Sequence, residues 1–100
     1  MLAKPSANAF AALLSAIAEP NRLRIIHTLR NGELSVSTIA QIVETEIVNV
    51  SHHLNVMKMN TILLAQKMGR TVLYSLNPIY FKQEDGKFYF VTEWCKMELF

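Results

Sequence analysis

The apolar period of this chain changes at Asn60. Before that point hydrophobic residues recur at helical spacing. Val36, Ile39, Ala40 and Val43 share one stripe, and Val50, Leu54 and Met57 form the next. After it, residues 62–67 and 71–76 are β-branched or apolar runs separated by Met68-Gly69-Arg70, the pattern of a hairpin with glycine at its turn. The expected fold class is therefore mainly α with a small antiparallel β-hairpin, in one domain over residues 1–100.

Local signals divide the helical part into four. Residues 9–18 are rich in alanine and leucine and carry no charge, so a helix apolar on nearly every side is expected, buried against a second subunit. Glu19-Pro20 breaks it, and Pro20 suits the first turn of a helix over residues 20–31 that stops at Gly32. Ser35 is a good N-cap for a helix over residues 35–43. Glu44-Thr45-Glu46 is the following turn, and Thr45 is placed to cap a helix over residues 46–59. This is helix–turn–helix organisation, with the hairpin over residues 62–76 beside it. In the tail, residues 78–100, Asp85-Gly86 signals a turn, and residues 87–92 and 94–99 read as short strands rather than a helix.

A chain of 100 residues, 51% of them hydrophobic, leaves apolar surface uncovered as a monomer, so a homodimer is expected. No apolar run approaches the roughly 20 residues a membrane span needs. Residues 1–8 lack the apolar core of a signal peptide. A single cysteine, Cys95, excludes an internal disulfide and fits a reducing cytoplasm. The net charge of +2 says little, but its distribution says more. From Ile47 through Gln83 there is no Asp or Glu, while Lys58, Lys67, Arg70 and Lys82 lie there, a segment suited to a polyanion.

Chemistry-bearing clusters are sparse. Ser51 and His52 are sequence neighbours, which is not the geometry of a nucleophile and its base, and there is no glycine-rich phosphate loop. An enzyme is not expected. His52 and His53 diverge by about 100° on a helix, so they do not form a chelating pair. His27 reads as a packing residue. Cys95 beside Lys96 reads either as an inert buried thiol or as a redox switch across a dimer. No metal or cofactor is expected.

Ala18-Glu-Pro-Asn-Arg-Leu-Arg-Ile-Ile26, Gly32-Glu-Leu-Ser-Val-Ser37, Val50-Ser-His-His-Leu54, Gly69-Arg70 and Leu73-Tyr-Ser-Leu-Asn-Pro78 together resemble the ArsR/SmtB family of winged-helix repressors. The resemblance spans residues 10–78 without a gap. It implies a winged helix–turn–helix dimer in which the second helix of the motif enters the major groove of double-stranded DNA while the wing meets the flanking backbone or minor groove. Carried over, the DNA-facing residues are Asn49, Ser51 and His52, with His53 turned toward the protein or a phosphate and Lys67 and Arg70 of the basic wing on phosphates or in a narrow groove; Lys58 adds a further cation for phosphates. Ser35-Val36-Ser37 stands where metal-sensing relatives have Cys-x-Cys, and the tail has no histidine after His53. The resemblance therefore implies no metal site, and no inducer is legible. Ile47 and Val48 stand where relatives have small polar residues, suited to thymine methyl groups or to packing. The glycine usual at the exit of this helix is Thr61, which leaves Asn60 to adopt the left-handed cap. The alternative is a winged-helix protein-interaction module, favoured by Ile47, Val48 and the aromatic tail.

Overall fold

The computed structural model describes residues 6–100; the leader reading of residues 1–8 lies largely outside them. Four helices, α1 (Ala7–Ile17), α2 (Pro20–Leu29), α3 (Val36–Val43) and α4 (Ile47–Met59), precede the wing strands β2 (Leu63–Met68) and β3 (Thr71–Leu76). A short strand β1 (Leu34–Ser35) lies between α2 and α3. The tail forms β4 (Phe81–Glu84), β5 (Lys87–Val91) and β6 (Lys96–Glu98). The fold is a winged helix–turn–helix with an added β-meander. No helix is long and apolar enough to cross a membrane among the described residues.

The helix starts follow from capping chemistry. The Ser6 hydroxyl accepts from the Ala9 amide, the Glu19 carboxylate from Arg22, and the Ser35 hydroxyl from Thr38. The start of α4 differs from expectation. Thr45 turns its hydroxyl back to the Val43 carbonyl, Glu46 occupies the cap position, and no side chain caps the helix. The first-turn amides of Ile47, Val48 and Asn49 are thus left open.

Both helices of the motif end by the same device. The Thr45 amide reaches the Ala40 carbonyl at 3.1 Å, with Glu44 left-handed at φ 53°. The Ile62 amide reaches the Met57 carbonyl at 2.9 Å, with Thr61 left-handed at φ 61°. Asn60 stays at φ −93°, so the left-handed cap falls one residue later than expected. Tertiary bonds fix it there. Asn77 donates from Nδ2 to the Thr61 carbonyl at 2.8 Å, and its own amide bonds the Ile62 carbonyl at 3.0 Å. Asn77 alone is a buried polar residue among those described, and its Oδ1 is also satisfied, by the Ile79 amide.

One core joins all the layers. Ile25, Ile26, Ile39, Val50, Leu54, Met57 and Ile62 are fully excluded from solvent, and Phe81, Phe88 and Phe90 of the tail belong to the same cluster. Phe90 packs beside Phe81 and Tyr80 at centroid distances of 5.6 and 6.0 Å. The tail is thus a structural layer of the domain. In contrast, α1 is largely open: Ala16 and Ile17 are buried, but Ala7, Ala9, Ala11 and Ala12 are exposed.

The wing sheet has the order β1-β3-β2, all antiparallel, with Leu34 opposite Tyr74 and Met68 opposite Thr71. Gly69-Arg70 is a two-residue turn, and Gly69 takes the positive φ of 64° that a first turn residue needs in a type II′ hairpin. Beyond Leu63 every residue of β2 is exposed, so the wing projects from the core. The second sheet has the order β4-β5-β6, and Asp85-Gly86 turns between β4 and β5 with both residues at positive φ, as a type I′ turn requires.

Candidate nucleic-acid interface

The outward face of α4 carries the residues that the sequence resemblance implies for DNA contact. Val50, Leu54 and Met57 are buried, which leaves Asn49, Ser51, His52, Asn55 and Lys58 exposed. Ile47 is 54% and Val48 74% exposed, so neither packs into the core, and the solvent face of the first turn is apolar. Lys58, in the last turn, also complements the negative end of the helix.

His53 stands apart from this set. Its Nδ1 accepts from Arg22 Nε at 3.1 Å and lies 3.7 Å from Glu19 Oε2, with the side chain 14% exposed. Arg22 also reaches the Ala16 carbonyl at the end of α1, and its amide is capped by Glu19. The network ties α4 to the α1–α2 junction. It also joins two of the motif segments that carry the sequence resemblance: Glu19 and Arg22 from one, His53 from the other. Periodicity gave no sign of this, because Arg22 and His53 are 31 residues apart in sequence. Arg24 was missed in the same way. Its Nη2 donates to the Val43 carbonyl at 2.7 Å and so closes the end of α3.

The wing supplies the remaining cations. Lys67 lies exposed on β2 opposite Val72, and Arg70 is exposed at the turn. The ion pairs among the described residues join Lys87 with Glu98 and Lys96 with Glu84. Lys58, Lys67 and Arg70 are in none of them, so their charge is directed to solvent.

Other candidate chemistry is dispersed. The Ser35 and Ser37 hydroxyls lie 3.2 Å apart, converging where a thiolate pair would be needed for a soft ion. His27 is exposed and meets Phe100 edge-on at 4.6 Å. Cys95 is half-buried with Thr92 Oγ1 at 3.7 Å from its sulfur. The Lys96 ammonium lies 2.7 Å from Glu84 Oε2; this hydrogen bond holds its pKa above the ordinary value and directs the charge to the carboxylate.

Known proteins resemble this chain in sequence and fold. A family described as a helix-turn-helix domain matches residues 17–63. The transcriptional repressor SdpR of Bacillus subtilis is 31% identical over 65 residues, covering 65% of this chain and 72% of SdpR. The HTH-type transcriptional regulator NmtR of Mycobacterium tuberculosis is 39% identical over 66 residues, and the match spans 66% of this chain but only 55% of NmtR. Among solved structures, the homodimeric winged helix-turn-helix DNA-binding domain of Mb0332 from Mycobacterium bovis, a possible ArsR-family transcriptional regulator, superposes with a TM-score of 0.66. It is 25% identical, with 75% of each chain covered.

Proposed function

Because this chain belongs to the ArsR/SmtB family of winged-helix regulators, we propose that it is a homodimeric, sequence-specific DNA-binding repressor acting in the cytoplasm. The observation that carries this reading is the pairing of an exposed polar face on α4 with unpaired cations on the wing, in a segment without a single acid from Ile47 to Gln83. In the mechanism, α4 lies in the major groove. Asn49 offers the paired donor and acceptor that match an adenine edge, and Ser51 and His52 read neighbouring bases. Ile47 and Val48 meet thymine methyl groups, while the open amides of the same turn and Lys58 face phosphates. Lys67 and Arg70 hold the wing on the flanking backbone. His53 has a positioning role through Arg22.

In the dimer, two copies of α4 address a two-fold symmetric operator. The exposed alanine face of α1, with Met97 and Phe100 of the tail, is the contact surface. The homodimeric Mb0332 domain supports this assembly by analogy.

The test is a fluorescence-anisotropy titration of a random duplex pool at several salt concentrations, with selection and sequencing of the bound fraction. A steep salt slope with an enriched palindrome is expected. A steep slope without enrichment would make the chain an architectural binder. An absence of binding at low salt would favour the second reading, a protein-interaction module, for which the exposed Ile47 and Val48 are the observation.

A further inference from the structure

We propose that Val48 senses the C5 methyl group of a pyrimidine, given the placement of α4 in the major groove proposed above. On that footing 5-methylcytosine can stand in for thymine, and cytosine methylation raises the occupancy of a site. Val48 is 74% exposed. Met57, which is fully buried, lies about two and a half helical turns further along α4, so Val48 points directly away from the core. Ile47, 54% exposed, widens the apolar surface at the same end of the helix. Neither residue contributes to the core. A β-branched side chain on an open helix face also supports the helix less well than alanine would. An apolar group of matching size that met this surface would take it out of water.

The surroundings select the partner. One turn further on from Val48 stand Ser51 and His52, both exposed and polar. The apolar surface is therefore a spot of two side chains, rather than the continuous stripe that a partner helix would cover. From Ile47 through Gln83 there is no acid, and Lys58, Lys67 and Arg70 are in no ion pair among the described residues. That balance favours a polyanion over an apolar protein surface. In a major groove the apolar group that base pairs present is the C5 methyl of thymine. Valine has no donor or acceptor, so it does not distinguish the O4 of thymine from the N4 amino group of cytosine. It responds to the methyl alone, and 5-methylcytosine carries that methyl on the same ring carbon. The polar neighbours Asn49, Ser51 and His52 are left to read the adjacent base edges.

The experiment takes the palindromic duplex enriched from the random pool and measures its anisotropy with the full chain. Each thymine of the half-site is replaced in turn by deoxyuridine, which removes only the methyl. In a second series each T·A pair becomes C·G or 5-methylcytosine·G. At one position deoxyuridine is expected to lower affinity about four-fold for each methyl removed, and 5-methylcytosine to bind tighter than cytosine by the same factor. Val48→Ser, at an exposed position and with similar helix propensity, should leave Tm and the salt slope unchanged. In that variant thymine and deoxyuridine should bind alike, as should cytosine and 5-methylcytosine. The proposal is overturned if the native chain binds thymine and deoxyuridine duplexes alike at every position of an enriched palindrome; the sequence-specific reading then stands without it. It is also overturned if the differences survive in Val48→Ser, because the methyl is then sensed elsewhere. No binding, or no enriched palindrome, overturns the sequence-specific reading and the methyl readout together.

Discussion

Thr61 is a β-branched residue in a left-handed conformation, a combination that costs on the order of 1–3 kcal/mol. Replacing it by glycine removes that cost but raises the entropy of the unfolded chain by a smaller amount. Thr61→Gly should therefore stabilise the domain by about 1 kcal/mol, read as a higher denaturant midpoint at unchanged slope. Asn77 is the counterpart. Asn77→Ala would leave the Thr61 carbonyl without its donor and should destabilise by about 1–3 kcal/mol in the same assay. The sequence indicated that the exit of α4 was unusual because a glycine was missing there. It pointed to Asn60, since local preference favours asparagine in that conformation. Bonds from Asn77, 16 residues away, decided otherwise, and single-residue propensity does not report those.

At the scale of elements, the helix–turn–helix and the wing were legible because each carries its own period. The outward set on α4 was legible for the same reason, once Val50, Leu54 and Met57 were assigned inward. The sequence predicts two short strands in the tail; the structure has three, each of three to five residues, and Phe81, Phe88 and Phe90 reach the shared core. Runs that short carry too little pattern to reveal what they pack on. Phe90→Ala should cost about 3–5 kcal/mol in chemical unfolding, where a residue on a solvated arm would cost almost nothing. For the wing, Arg70→Ala is expected to weaken binding to all DNA sequences alike and to lower the slope of log affinity against log salt by about 1. Asn49→Ala, on α4, should instead cost about 1–3 kcal/mol at the base pair it reads and leave non-specific binding unchanged. Anisotropy titrations on operator and random duplexes separate the two outcomes.

Across the whole molecule, helices and both sheets share one core, so they should unfold together. Far-ultraviolet circular dichroism and Trp94 fluorescence are expected to give coincident transitions; an earlier loss of the Trp94 signal would mean that the tail melts on its own. Sedimentation at micromolar concentration should show a dimer, and a monomer there would remove the two-fold operator from the mechanism. The two-residue strand β1 has a larger effect than its length suggests. It holds Leu34 and Ser35, at the threshold of α3, against Tyr74 and Leu73 on the wing, and everything between them forms a closed circuit. That clasp ties the base of the wing to the start of α3. In the proposed complex α4 and the wing would meet a duplex together, so a duplex whose curvature does not suit both would have to bend.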